Sequence, residues 1–122
     1  MRLALESDPN IHLVRSYGNG VITIGEQSLS QPCVVSPQTL LRDWQATSIS
    51  TLDMTQFEKL VITGAHIVLL GEGEMQQVPP AEIRKLCRVR GIALECMNLG
   101  AACRTYNILA NEQRAVVAGL FP

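Results

Sequence analysis

Aromatic side chains are scarce in this chain, with one Trp, two Tyr and two Phe among 122 residues. So few rings cannot build an aromatic binding platform. An excess of either charge is also missing. Ten Lys and Arg stand against eleven Asp and Glu, a formal net charge of −1, which leaves no electrostatic footprint for nucleic acid or an anionic membrane. No stretch approaches the ~18 consecutive apolar residues that would span a bilayer. The Met1 end lacks a basic segment followed by the roughly 7–15-residue apolar run of a secretory signal. The four cysteines, at 33, 87, 96 and 103, never fall at the two-to-four-residue spacing of a zinc or dithiol motif. No metal and no cofactor is therefore expected. The thiols are expected to be reduced, in a cytoplasmic protein without membrane insertion and without a nucleic-acid partner.

What the chain does have is aliphatic bulk. Residues are 47% hydrophobic, and a chain near this length buries roughly two-thirds of its unfolded surface, enough for a core without staples. With no repeat, linker or low-complexity tract, residues 1–122 read as a single domain in which helices cover a sheet.

The clearest organisation runs from His66 to Leu109, which reads as strand, glycine loop, helix, strand, helix. His66-Ile67-Val68-Leu69-Leu70 has the length of a buried strand, and Gly71-Glu72-Gly73 is expected to turn the chain out of the sheet. Pro79-Pro80 opens a helix with Ile83, Leu86 and Cys87 at i, i+3, i+4 and Arg84, Lys85, Arg88 and Arg90 towards its end. Gly91 follows as the natural residue beyond its C-terminus. A strand over 92–97 follows. Asn98 is a good N-cap for a helix whose apolar face is Leu99, Ala102, Cys103, Tyr106, Leu109 and Ala110.

Upstream, Asn19-Gly20 before Val21-Ile22-Thr23-Ile24 predicts a β-hairpin over 11–25, because Asn-Gly accommodates the positive φ angles of a tight turn. Residues 1–10 are expected to be a loose strap or part of an edge pairing. Strand pieces follow at 27–30 and 32–36, then an irregular crossover to residue 50 in which Trp44 is expected to cap the core. Thr55-Gln56-Phe57-Glu58 has the form of a capping box and predicts a helix from 55 to near Gly64. Residues 114–121 are apolar on both alternating faces, the pattern of a strand inside the sheet. The handedness of crossovers alone makes this last strand parallel to that at 92–97.

Several of these strings resemble a known family. Leu69-Leu70-Gly71-Glu72-Gly73, the Pro-Pro helix opening, and Met97-Asn98-Leu99-Gly100-Ala101-Ala102-Cys103-Arg104-Thr105-Tyr106-Asn107-Ile108-Leu109 followed by Glu112 and Arg114 are similar to domain of unknown function 498. The likeness extends upstream through Tyr17, Gly20, Ile24, Ser36-Pro37 and Trp44, so it covers nearly the whole chain. It implies an MTH-938-like fold: an α/β, three-layer domain with a central mixed β-sheet, helices on one side and an N-terminal β-hairpin layer on the other. It also implies that the last strand inserts antiparallel. The family's members include a mitochondrial assembly factor for respiratory complex I and an adipogenesis-associated animal protein, and no catalytic residue set comes with it. This chain departs from the pattern at Glu72, where a hydroxyl residue is more usual, and at Asn98-Leu99, where Asp-Thr is more usual. Any polar pocket there is altered.

Two surfaces are candidates for function. The strands at 66–70 and 92–97 should be parallel, which brings the loop Gly71-Glu72-Gly73 and the turn Asn98-Leu99-Gly100 to one C-terminal sheet edge with Arg104 beside them. Helix N-termini there favour an anion by about 0.3–1 kcal/mol, but Glu72 and Glu74 would place two negative charges at the mouth and offset it. A tight turn is the favoured reading of the glycines. Cys103 shares a helix face with Tyr106 and is expected to be packed and inert, since a Cys-His pair would need His12 or His66 brought beside it. Arg104, Thr105 and Asn107 are expected to lie away from the packed face and to fix neighbouring backbone. The second surface is the basic helix face of Arg84, Lys85 and Arg88, which suits a protein partner with an acidic face. The residues, together with the family's assembly factor, favour a non-enzymatic protein-interaction or assembly module, expected to be a monomer. A small-molecule binder or minor enzyme using the sheet-edge cleft is the alternative.

Overall fold

The computed structural model describes residues 1–3 and 8–122. The chain first makes a three-stranded antiparallel sheet of β1 (Val14–Gly18), β2 (Val21–Ile24) and β3 (Gln27–Leu29), in that order. Asn19 and Gly20 turn the hairpin with φ angles of 54° and 77°, the positive values their side chains tolerate best. Residues 1–3 extend this layer as an edge pairing. Leu3 N donates to Arg15 O and Tyr17 N donates to Met1 O, each at 2.9 Å. The remainder of the expected strap, at 4–7, lies outside the described residues.

The second sheet has five strands. The chain runs through β4 (Cys33–Val35), β5 (Leu40–Leu41), a single 3-10 turn at Ile49–Thr51, α1 (Met54–Val61), β6 (Ile67–Glu72), α2 (Ala81–Arg90), β7 (Ala93–Met97), α3 (Leu99–Asn111) and β8 (Val116–Phe121). The spatial order of the strands is β5-β4-β8-β6-β7. Asp53 rather than Thr55 caps α1. Its Oδ1 accepts from Gln56 N at 2.7 Å and Gln56 Oε1 accepts from Asp53 N at 3.0 Å. That register wins because the Gln56 amide also donates to Gln45 O at 2.8 Å, tying the helix start to the crossover.

The mixed sheet and the N-terminal β layer are as expected, but two details differ. β8 is parallel to β6 and antiparallel only to β4, so the expectation that it inserts antiparallel is corrected. Helices also occupy both faces of the sheet rather than one. From β6 to β7 the chain moves one strand outward through α2. From β7 to β8 it moves back past β6 through α3, and a right-handed crossover travelling in the reverse direction must place its helix on the opposite face.

Two cores follow from this arrangement. Leu69, Ala118 and Leu120 pack with Ala102, Cys103 and Tyr106 of α3 and with Ile22 and Ile24 of the N-terminal sheet. On the other face Val68, Leu70 and Val117 pack with Phe57, Leu60 and Ile83. The alternation of Val68, Leu69 and Leu70 between the two cores explains why this strand is apolar throughout, and each buried aliphatic contributes about 1.5–3 kcal/mol. Trp44 is buried, as expected. Its indole N–H donates to Gln56 O at 2.9 Å, and its ring lies 5.1 Å from that of Phe121, over Gly119.

Gly71 does not turn the chain; it lies inside β6 and is buried. A Cβ there would stand 2.4 Å from Ala102 Cβ, so its lack of a side chain is what lets α3 approach the sheet. Gly71→Ala is expected to lower stability by about 1–3 kcal/mol through this overpacking. The check is the denaturant midpoint at unchanged slope, with Gly73→Ala, where φ is 60° but nothing is within 4 Å, as the comparison that separates crowding from backbone strain.

Candidate functional site

β6 and β7 are parallel neighbours whose chains leave for opposite faces, one into α2 and the other into α3. A crevice must open beyond their C-terminal ends, the place where open α/β sheets bind ligands. A cavity of about 490 Å³ lies there, lined by Tyr17, Gly18, Asn19, Gly20, Gly73, Glu74, Asn98, Leu99, Gly100 and Arg104. Leu99 N donates to Gly73 O at 2.9 Å, which zips the two strand ends together. Asn98 caps α3, its Oδ1 accepting from Ala101 N at 2.8 Å. Arg104 donates through Nη1 to the Tyr17 hydroxyl at 3.0 Å. The same hydroxyl sits so close over Gly100 that a Cβ there would be 2.4 Å away.

The structure thus brings Gly73, Asn98, Gly100 and Arg104 to one crevice and leaves out Gly71 and Glu72. Glu72 turns to the opposite face, where its Oε1 accepts from Ile49 N at 2.9 Å and Ser48 Oγ at 3.0 Å. It caps the 3-10 turn, so of the two acids expected at the mouth only Glu74 lines it. Tyr17 and the hairpin tip join the crevice although the local sequence pattern does not place them there. The only signal was the presence of Tyr17 and Gly20 in the family-like pattern, because the contact spans eighty-seven residues of sequence.

Asn107 is buried, which corrects its expected place away from the packed face. Its amide pairs with both backbone groups of Val14, Oδ1 accepting from Val14 N at 2.9 Å and Nδ2 donating to Val14 O at 2.8 Å. It fixes neighbouring backbone from inside the core. Beside it the Tyr106 hydroxyl donates to His12 O at 2.7 Å. Cys103 is buried, and burial, with Cys33 close by, pushes its thiol up to about 12. Burial does the same to Cys33, also to about 12. A protonated thiol in a closed core is not a nucleophile. Among the described residues no three His, Cys, Asp or Glu side chains gather as metal ligands.

The basic surface is on α2. Arg84 and Arg88 line a groove of about 350 Å³ between the helix and β7, which Gln76, Gln77, Cys87, Ile92, Leu94, Glu95 and Cys96 also line, so one carboxylate stands among its apolar residues. Arg84 Nε donates to Pro79 O at 3.2 Å, steadying the guanidinium at the groove's end. Lys85 is exposed beside the groove without lining it. Val78, at 62% relative exposure, adds uncovered apolar surface to the groove's lining.

The mixed sheet thus lies between α1 with α2 on one face and α3 with the second small sheet on the other, and this fold is that of a Mth938-like domain. The solution structure of a Bordetella pertussis protein described as a Mth938-like domain matches it with a TM-score of 0.80 at 23% identity, over 100% of this chain and 92% of that one. Within that fold, the chain belongs to the family described as protein of unknown function (DUF498/DUF598), whose model matches residues 14–121. A Francisella tularensis relative named 13 kDa major membrane protein is 35% identical over 81% of this chain and 80% of its own length. A rat relative named NADH dehydrogenase (ubiquinone) 1 alpha subcomplex assembly factor 3 is 28% identical over 93% of this chain, which spans 62% of that protein. Among the described residues no helix is long and apolar enough to cross a membrane.

Two outcomes are expected from these environments. Asn98→Ala removes the α3 cap and should cost about 0.5–2 kcal/mol, read from the denaturant midpoint. The thiols of Cys33 and Cys103 stay protonated to about 12 in the folded chain against 9.0 for an unperturbed thiol. Above 9.0 the unfolded chain therefore binds fewer protons than the native one, and stability falls as pH rises towards 12. Cys103→Ala should flatten that alkaline slope, measured by denaturant melts across the window, and Cys103 should resist thiol reagents at neutral pH.

Proposed function

We propose that the chain is a non-enzymatic protein-interaction or assembly module that engages an acidic face of a partner protein through α2. The observation that carries this reading is the placing of Arg84 and Arg88, four residues apart, along one groove with an apolar floor. Rim charges steer and register a partner, while the apolar strip supplies the area a stable contact needs. Relatives named as assembly factors support the class of function, although this chain spans about three-fifths of their length. A monomeric, cytoplasmic protein is part of the same proposal, the free cysteines supporting a reducing compartment.

The crevice beside Arg104 carries a second reading, a small-molecule binder, because Arg104 and the Tyr17 hydroxyl converge there on one cavity. Mutation separates the two. Arg84→Glu with Arg88→Glu is expected to keep the fold, since both side chains are exposed, and to reduce capture of a partner from lysate at least about tenfold. Added salt should weaken the wild-type capture in the same direction. Glu74→Lys, in the crevice, should leave capture unchanged. Glu72 is unsuited as that control because its carboxylate caps the 3-10 turn. Small-molecule binding lost with Glu74→Lys, together with lysate capture indifferent to the arginines, would move the function to the crevice.

A further inference from the structure

The five-stranded sheet ends on β7, which pairs with β6 on one side and, among the described residues, with no strand on the other. The pairing sets the direction of its backbone groups. Ala93 N donates to His66 O at 2.9 Å in a parallel ladder, so Ala93, Glu95 and Met97 turn their amides and carbonyls towards β6. Leu94 and Cys96 turn theirs outward. The side chains of these same two residues lie half-buried on the α2 side and form part of the groove floor beneath Arg84 and Arg88. Open backbone hydrogen-bonding groups, an apolar floor and two guanidinium groups therefore run along one strip of about 17 Å, the length of a five-residue strand. Edge strands are commonly blunted by Pro, Lys or other charges; β7 contains no Pro or Lys, and its one charge, Glu95, alternates with Leu94 and Cys96.

We infer that β7 is a strand acceptor, and that the partner docks by adding an extended segment to this edge with acidic and apolar side chains on the α2 side. The inference rests on the α2 reading above and specifies its partner. In strand addition, main-chain hydrogen bonds to Leu94 and Cys96 supply affinity and the alternate side chains supply selection. Partner residues opposite Leu94 and Cys96 point to the α2 side, where Arg84 and Arg88 meet a carboxylate. Those opposite Glu95 point the other way and are neutral or basic.

A second copy of this chain fits the edge poorly. The antiparallel register that engages both outward residues of each β7 strand sets Leu94 opposite Cys96 of the other copy and centres the ladder on Glu95. Two carboxylates then face each other across a pair spaced at about 4.5 Å, where like charges are destabilising.

The test follows the amides of Leu94 and Cys96 by NMR hydrogen exchange in the full chain. The probes are an extended peptide with Val and Asp on one strand face and Thr on the other, its Lys-for-Asp counterpart, and the acidic peptide N-methylated on the amides that would face β7. The acidic peptide is expected to slow exchange at Leu94 and Cys96 about tenfold at saturation. The N-methylated and Lys peptides should not, and Arg84→Glu with Arg88→Glu should abolish the effect while leaving the remaining spectrum folded. Arg-dependent binding of the acidic peptide without protection of these amides would overturn strand addition and leave the α2 reading standing. Equal protection by the Lys peptide, or no binding of any peptide at millimolar concentration, would overturn the acidic partner. Protection that grows with protein concentration alone would replace it with a second copy. Lysate capture indifferent to Arg84 and Arg88 would instead remove the reading beneath it.

Discussion

The molecule depends on one helix serving two sheets at once. α3 packs Ala102, Cys103 and Tyr106 into the core between the five-stranded sheet and the N-terminal layer, while Asn107 on the same helix acts as a strand neighbour to Val14. Both backbone groups of Val14 are buried, and leaving either without a partner would cost about 1–3 kcal/mol. The Tyr106 hydroxyl adds a second stitch at His12 O. Close approach on both sides needs small residues, which is why Gly71 lies under Ala102 and Gly100 under Tyr17. The N-terminal layer is thereby fixed to the α/β unit, and the hairpin tip is carried over the α3 N-terminus.

From that constraint the crevice follows. Because α2 and α3 leave adjacent strands for opposite faces, the C-terminal ends of β6 and β7 are left uncovered by either helix. The hairpin tip then closes one wall, bringing the Tyr17 hydroxyl onto Arg104. Two polar groups of this crevice are occupied in holding it together: Asn98 by its cap and Arg104 in part by Tyr17. The groove beside α2 differs in this respect. Its arginines stand at the rim, its thiols are protonated by burial, with Cys96 pushed up to about 11, and its outer strand edge is open. Unused hydrogen-bonding capacity and charge on that side are what the proposed partner contact draws on.

The sequence by itself determined the local elements and several of their ends, though not the Asp53 start of α1 or the end of β6 at Glu72. The Asn19-Gly20 turn, the left-handed Gly91 after α2 at φ 69°, the Asn98 cap and the two-sided apolar runs of β6 and β8 were all legible. Each rests on residues within a few positions of one another, where spacing and backbone preference are enough. The family-like string also pointed to the right fold, and of the six residues expected at the crevice Gly73, Asn98, Gly100 and Arg104 line it.

Tertiary structure alone decided which face each element serves. The direction of β8 and the side taken by α3 depend on strand order, which no local pattern encodes. Gly71 and Gly73 look alike in sequence, yet one permits close packing and the other supplies a positive φ. The same holds for contacts made across long stretches of chain. Glu72 meets Ile49 across twenty-three residues, Tyr17 meets Arg104 across eighty-seven, and Val14 meets Asn107 across ninety-three. Such partners are chosen by the packing of whole layers, so a polar residue that looks free in sequence can be committed to the backbone of a distant strand.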